Sequence, residues 1–477
     1  GLDAKAFEVA EQSRARGLLD VLARAQVDTR DGDPGLMRWE LRLRQELNAK
    51  AALRLSLADD EASQARSRVL EEEIETLAVE HEIVEARLTA GSRYESLKKP
   101  SVPIREIQEL LDGETVLMEY LLAEPRSYLW VVSSTSLQAF ELPGRNEIAQ
   151  VARSLHERWK HPGDRDAASQ RKDRDLLSRQ VLEPALAAIA GRRLVIVADG
   201  ALQYVPFAAL HVRSAADGSL VPLVVEHEIG FLPSAAVLKE IRRAGAGRPR
   251  RPTSIAVLAD PAYDGAPSRP RRIEELATRG AGLERLTWSL QEAEGIRTVA
   301  RQREVLLATG TDATRELVTS GRLERYRALH FATHGILDSE HPELSVLALS
   351  QRDAKGQPLN GFLSLQDLYS LRLQADLVVL SGCETGLGRE LRGEGLVGLT
   401  HGFLHAGASQ VVASLWPIRD RAAAELMQSF YRSMLHDGKR PTAALRAAQI
   451  EIWNKRTWRD PYFWAAFVAQ GDWNTSL

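Results

Sequence analysis

Between Arg193 and Trp453 the chain repeats one pattern, a strand-length apolar run followed by a helix-length stretch. Consecutive parallel strands need a crossover, usually a helix, and both faces of such a sheet are then covered. The alternation therefore predicts an α/β fold, a mainly parallel sheet with helices on both faces. The strand-like runs are Arg193–Ala198, Ser254–Ala259, Glu304–Leu307, Ala328 to His334, Ser345–Ser350, Leu377 to Cys383 and Gln410–Leu415. Helices are expected near Pro233–Arg242, Leu290–Arg301, Asp312–Ser320, Ser364–Leu371, Leu396–Ala406, Arg419–His436 and Pro441–Trp453. Ahead of them, Thr115–Leu122, Tyr128–Ser133 and Leu137–Leu142 read as a meander, followed by charged helices over Arg145–Lys160 and Arg171–Ala190.

Residues 1–100 differ: they read as almost wholly helical. A first helix is predicted from Asp3 to Ala25, a second from Leu36 to Leu57 and a third from Asp59 to Leu88. Leu70, Ile74, Leu77, His81, Val84 and Leu88 step by four and three, the seam of a coiled coil or a long antiparallel hairpin. At 477 residues the chain exceeds one compact core. We expect a helical region over 1–100, as at the end of a repeat array, and an α/β domain over 101–477 with halves at 101–250 and 251–477. A chain begun near Ser101 is then expected to fold by itself. Gly1 in place of Met reads as a tag remnant on a chain cut from a longer protein.

Two of the apolar runs stop at a reactive side chain beside a glycine: Ala328-Leu329-His330-Phe331-Ala332-Thr333-His334-Gly335 and Leu377-Val378-Val379-Leu380-Ser381-Gly382-Cys383. Cys383 is the sole cysteine. In a parallel sheet the strands' carboxyl ends share one edge, where chemistry collects, so His334 and Cys383 are expected to share a crevice. A thiol needs a basic neighbour to react near neutral pH. The order and the separation, 383 − 334 = 49 residues, fit the caspase type of cysteine peptidase. Alone, a strand-end cysteine is more often a small buried hydrophobe. The flanking Ser381-Gly382 and Glu384-Thr385-Gly386, with Gly388, Gly393 and Gly395 beyond, argue against core packing here. The N–H groups of Gly335 and Cys383 are the candidate oxyanion hole.

Other polar residues are weighed against plainer roles. His330 reads as a core histidine. His401 and His405 have metal-ligand spacing on a helix but no third ligand nearby, so no metal is expected. Asp420 opens a helix, where a carboxylate favours the N-terminus; it is equally a candidate for the acidic floor of an S1 pocket, with Glu384 as a second substrate-facing candidate. The arginine-rich stretches 242–252 and 269–272 read as solvated linkers, with no interleaved aromatics to stack on nucleic acid. A net charge of −3 shows no global pull toward nucleic acid or membrane. One cysteine fits a reducing, cytoplasmic setting. Phosphate-loop and dinucleotide fingerprints are absent from the sequence, so no cofactor is expected.

From about residue 113 to 472 the chain resembles the CHAT family, caspase-like peptidases associated with tetratricopeptide repeats. The resemblance rests on Ala198-Asp199-Gly200-Ala201-Leu202-Gln203-Tyr204-Val205-Pro206-Phe207, Phe231-Leu232-Pro233-Ser234, Phe331-Ala332-Thr333-His334-Gly335, Leu380-Ser381-Gly382-Cys383-Glu384-Thr385-Gly386, Ala413-Ser414-Leu415-Trp416-Pro417 and Pro461-Tyr462-Phe463-Trp464. The family more often has Ala where Gly382 stands. The resemblance implies a caspase–hemoglobinase fold, a His–Cys dyad at His334 and Cys383, and neither metal nor organic cofactor. It implies a cysteine endopeptidase that cuts a protein partner. We expect latency until a regulatory protein acts through residues 1–100. The rival expectation is a catalytically silent caspase-like scaffold for protein binding.

Overall fold

The computed structural model describes residues 2–12, 14, 18–19, 34–55, 61–89, 102–161, 167–214, 216–248, 251–263, 283, 285–336, 345–382, 389–391 and 395–477. Its centre is an 11-stranded sheet. In chain order its strands are β1 (Thr115–Leu121), β2 (Ser127–Val132), β3 (Leu137–Leu142), β4 (Arg193–Val197), β5 (Ile229–Phe231), β6 (Ser254–Pro261), β7 (Glu304–Gly310), β8 (Ala328–Ala332), β12 (Leu377–Leu380), β13 (Gln410–Ser414) and β14 (Phe467–Gly471). The missing numbers belong to a 3-stranded antiparallel sheet of β9 (His334–Ile336), β10 (Val346–Ala348) and β11 (Phe362–Ser364). Across the main sheet the order is β3-β2-β1-β4-β5-β14-β13-β12-β8-β6-β7.

The meander at one end is antiparallel, as its sequence predicted. Beyond it lie two parallel blocks. Strands β1, β4, β5 and β14 run one way. Strands β13, β12, β8, β6 and β7 run the other. The blocks meet where β14 pairs antiparallel with β13 over five rungs, Gln410–Gly471 to Ser414–Phe467. Sequence periodicity had given neither β5 nor β14. Five or fewer residues carry little period, and both strands are defined by distant partners.

Helices cover both faces. One face packs on α5 (Arg145–Trp159), α6 (Ala167–Val181), α8 (Ser289–Val299), α12 (Asp420–Leu435) and α13 (Pro441–Asn454). The other packs on α4 (Ile104–Leu110), α7 (Ala235–Gly245), α9 (Arg315–Thr319), α10 (Leu365–Ser370) and α11 (Leu399–His405). Strand residues alternate between the cores: Ile255, Val257 and Ala259 face the first, Ala256 and Leu258 the second. Such double burial explains why these runs are apolar without alternation.

In the helical region, α2 (Pro34–Leu55) and α3 (Glu61–Thr89) pair along the predicted seam. Leu47 packs on Ile74 and Leu77, while Leu70 and Val84 are buried. His81 is a seam residue, its Nε2 3.1 Å from Glu40 Oε1 on the facing helix. The first helix, α1 (Leu2–Gln12), behaves otherwise. Phe7 is fully buried in the body, edge-on to Trp130 at 6.0 Å, in a core with Leu117, Val195 and Trp473. The division expected at residue 100 therefore does not separate α1 from the body. Sequence spacing had no means of registering this, because α1's partners lie 96 or more residues away.

Within the stretch 242–252, expected to be a solvated linker, Arg242 and Arg248 are instead packed on the body, while Arg243 is exposed as expected and 249–250 lie outside the described residues. Arg242 makes a paired contact with Asp472 at 3.1 and 2.9 Å and covers the Trp473 ring at 4.9 Å. Arg248 donates to the Gly407 carbonyl at 2.7 Å, and Arg251 to that of Glu324 at 3.2 Å. Arg242, which also donates to the Leu110 carbonyl at 2.6 Å, and Arg248 satisfy carbonyls at the ends of helices, a need that composition does not reveal. The other basic stretch, 269–272, lies outside the described residues. Among the described residues no helix is long and apolar enough to cross a membrane.

Buried histidines make the fold acid-sensitive. Burial pushes the His401 pKa down to about 4. His156 is pushed down to about 4 as well, by burial and then by the Lys160 charge. Both take up protons more readily unfolded than folded, so stability is complete above about pH 6.5 and declines toward pH 4, where the slope from these groups ends. Each contributes at most ~3 kcal/mol to that decline. We expect the urea midpoint to fall between pH 7 and 4.5, and to fall less in His156→Gln. An unchanged midpoint across that interval would overturn the assignment.

Candidate active site

The site is built on β8 and β12, which are parallel neighbours. Their register pairs Ala328 with Leu377, Leu329 with Val378, His330 with Val379 and Phe331 with Leu380. Each pair is offset by the same amount, 377 − 328 = 49 residues, and His334 and Cys383 are separated by that same 49. The ladder continues one step through the Ser381 N–H, which donates to the Phe331 carbonyl at 2.9 Å. Gly382 follows, its carbonyl accepting from the buried Ser414 hydroxyl at 2.5 Å. Ser414 closes β13, so three adjacent strands converge on the approach to residue 383. Cys383 and Glu384 lie outside the described residues.

On the histidine side the expected run does not stay in one sheet. Strand β8 ends at Ala332, the chain bends at Thr333, and His334 opens β9 in the smaller sheet. There His334 pairs with Ala348 and Gly335 with Leu347. The bend lifts the imidazole off the period-two line of β8, which would otherwise point it at the same core as His330. The His334 ring lies 5.4 Å from that of Tyr263, centroid to centroid, and the His334 backbone N–H reaches the Tyr263 hydroxyl at 3.5 Å. The same hydroxyl donates to the Ala348 carbonyl at 3.1 Å. Tyr263 thus ties the histidine's strand to the end of β6. No pattern in the sequence marked Tyr263; a lone tyrosine after a strand has no periodic signature.

His330, two rungs back, is a core histidine as expected. It is fully buried, its Nε2 2.8 Å from Glu292 Oε1 and its Nδ1 3.3 Å from the Tyr431 hydroxyl. Burial and then the Glu292 charge push the Tyr431 phenol well up, keeping it a neutral donor. At the edge itself two hydroxyls, Thr333 Oγ1 and Ser381 Oγ, have no hydrogen-bond partner among the described residues.

Asp420 is the first residue of α12, consistent with a carboxylate favouring a helix start. Its side chain lies outside the described residues. The next residue, Arg421, covers Trp288 at 5.9 Å and Trp458 at 5.7 Å, which sets this helix end against the start of α8. His401 is fully buried, and His405 packs on Tyr369 at 5.0 Å. Among the described residues no three of His, Cys, Asp and Glu gather as metal ligands. A cavity of about 580 Å³ lies at the opposite strand ends, lined by Arg251, Leu306, Arg322, Tyr326 and Gln374 among others, and is not part of this edge.

Residues 171–472, well over half of the chain, match the model of the CHAT domain family. Tetratricopeptide repeat protein 28 of Mus musculus is 28% identical over 311 residues, 59% of this chain. The Homo sapiens protein of the same name is 26% identical over 313 residues. The chain spans 12% of the length of each. Among solved structures, separase in the Saccharomyces cerevisiae separase–securin complex is similar over 80% of this chain and 31% of its own, with TM-score 0.48 and 9% identity. Gingipain R, an Arg-specific cysteine proteinase, is similar over 70% of this chain and 75% of its own, with TM-score 0.34 and 12% identity.

Proposed function

Because the chain belongs to the CHAT domain family, we propose that it is a cysteine endopeptidase acting on a protein partner, with His334 and Cys383 as its dyad. The observation that supports the reading is the shared offset of 49: the strands that precede the two residues, Ala328–Ala332 and Leu377–Leu380, are parallel neighbours in a register of 49, the same separation as that of positions 334 and 383 in the sequence. In this reading the Cys383 thiolate attacks the scissile carbonyl carbon and the C–N bond then breaks. His334 takes the thiol proton and delivers it to the leaving amine. Water, activated by the same imidazole, releases the acyl group and restores the thiol. The N–H groups of Gly335 and Cys383 receive the developing oxyanion. Ser414, by holding the Gly382 carbonyl, would steady the turn that carries the sulfur.

The decisive test is a thiol-reactive peptide chloromethylketone. Selective labelling of Cys383 that disappears in His334→Ala supports the dyad. Labelling that is unaffected by His334→Ala sinks it. A peptide-library digest compared with Cys383→Ala then reports what is cut.

In the same reading, α2 and α3 form a partner-binding arm. Trp39, Leu53, Val69, Val79 and Ile83 of this hairpin are exposed large hydrophobics. Apolar side chains so placed favour a protein surface as their cover. They also favour the second reading, a silent scaffold that binds through the arm without cutting; the labelling test separates the two.

Asp420 as the floor of an S1 pocket would select a basic P1 side chain through paired charge-assisted hydrogen bonds. We expect Asp420→Ala to lose cleavage after Arg while keeping probe labelling of Cys383. A library cut mainly after Leu, Met or small residues would refute the basic preference and leave the dyad standing. Glu384 remains the second candidate to face substrate.

A further inference from the structure

Residues just ahead of β6, β8 and β12, with Leu306 of β7, line the cavity of about 580 Å³ that lies away from the candidate edge. That volume suits a small organic ligand. Three guanidinium groups face it, those of Arg251, Arg322 and Arg325, against a single carboxylate, Glu324. Tyr326 and Leu306 give the wall carbon, and Gln374 an amide. The chain as a whole carries a net charge of −3, so this excess of cations is local. The arginines stand on fixed backbone. Gly321, with φ +79°, opens a turn that the Glu324 N–H closes on the Gly321 carbonyl at 3.2 Å. Leu323 in that turn is buried, and so is Tyr326, whose N–H donates to the Leu323 carbonyl at 3.1 Å. Arg322 is thus carried by a pinned turn. The Arg251 carbonyl accepts from Arg327 at 3.0 Å, and the Arg251 guanidinium donates to the Glu324 carbonyl at 3.2 Å. Arg325 covers the Tyr326 ring at 4.9 Å.

What two of these cations lack is an acid. Arg325 is paired with Glu304 at 2.8 Å. Among the described residues Arg251 and Arg322 have no ion pair, and the Arg322 guanidinium has no hydrogen bond. A lone solvated arginine needs no partner, but two unpaired ones in one cavity repel each other, and an anion between them relieves the repulsion. Planar guanidinium forks match phosphate oxygens in pairs. Glu324 sets a second condition. Its carboxylate folds back on the turn, Oε1 lying 3.2 Å from where a Cβ on Gly321 would stand. There it repels a bare phosphate and accepts from a hydroxyl. A ligand that satisfies all of these groups joins a dianion to hydroxyl donors.

We infer that this cavity binds a small phosphate monoester bearing hydroxyl groups, of the ribose phosphate kind, its phosphate on Arg251 and Arg322 and its hydroxyls on Glu324 and Gln374. The site lies at the strand ends opposite the candidate dyad and does not rest on the peptidase reading.

The test titrates ribose 5-phosphate, inorganic phosphate and ribose calorimetrically into the full chain. Ribose 5-phosphate should bind more tightly than either of the others. Arg322→Ala should weaken it about tenfold or more, the scale of one charge-assisted pair lost. That variant removes an exposed side chain with no partner, so the fold is kept. Glu324→Gln should strengthen inorganic phosphate and narrow its difference from ribose 5-phosphate. Arg301→Ala, an exposed arginine outside the lining, should change nothing. Adenosine monophosphate separates two sources of the same chemistry: tighter binding than ribose 5-phosphate assigns a nucleotide, and equal or weaker binding a sugar phosphate, both within the inference. It is overturned by no binding of ribose 5-phosphate at millimolar concentration, by an unchanged affinity in Arg322→Ala, or by an equal loss in Arg301→Ala. It is also overturned by a phosphoserine peptide that binds more tightly than ribose 5-phosphate, which would give these arginines to a protein partner.

Discussion

Replacing Cys383 by alanine is expected to abolish cleavage of a protein substrate, by a factor of at least ~10⁴, with the unfolding midpoint unchanged. Loss of a covalent nucleophile removes a whole route and not a contact, which is why such deletions cost orders of magnitude. His334→Ala should cost as much, since the two residues act as a unit. The histidine substitution differs in one respect. His334 is 5% exposed and its ring packs on Tyr263, so removal of the ring opens a small void and should lower stability by ~1–2 kcal/mol. His334→Gln, which keeps much of the volume, separates the effects: stability returns and activity does not. Cleavage at the parent rate by Cys383→Ala would refute the dyad.

A chain begun at Ser101 is expected not to give a stable body, in contrast to the expectation drawn from composition. It would lose Phe7 from the core around Trp130 and, with Glu11, the acceptor of the Ala235 and Ala236 N–H groups at the start of α7, at 2.9 and 3.2 Å. It would also lose Arg14, whose Nε lies 3.1 Å from Glu119 Oε1, with side-chain exposures of 6% and 0%. Arg14 further donates to the carbonyls of Tyr120 and Ala198 at the ends of β1 and β4. Breaking one side of a buried pair costs ~3–5 kcal/mol, and a lost buried phenylalanine costs about as much again. Together they are comparable with the ~5–15 kcal/mol that holds a domain folded.

The single variant Arg14→Ala isolates the electrostatic part. Burial, then the neighbouring Glu11 carboxylate, raises the Glu119 pKa well above the usual range, while Arg14 pulls it down. A raised carboxyl stabilises most when protonated, so its contribution is full below about pH 4.5 and is lost as pH rises through the folded value. The Arg14→Ala defect should therefore deepen as pH rises, and Glu119→Gln should relieve it. A truncated chain that melts with the intact one would refute the docking of α1 as a stabilising contact.

Much of this molecule could be read from residue order because it depends on local period. The central strands of the second parallel block are largely apolar without alternation, the α3 seam steps by four and three, and two runs end at a reactive residue beside glycine. Those patterns carry the α/β class, the α2–α3 hairpin and the pairing of His334 with Cys383 as a question worth asking. Tertiary structure alone decided what depends on partners far along the chain. It joined two oppositely directed blocks through β14, five residues with no period of their own. It bent the chain at Thr333, so that His334 left its strand for a second sheet. It seated α1 in the body through Phe7 and Arg14, and turned Asp260 toward Arg285 through a bulge. Period reports which face of an element is apolar; what covers that face, and which polar groups meet at its edge, is set by contacts between residues far outside any window over which a period can be read, from 25 positions apart for Asp260 and Arg285 to 130 − 7 = 123 for Phe7 and Trp130.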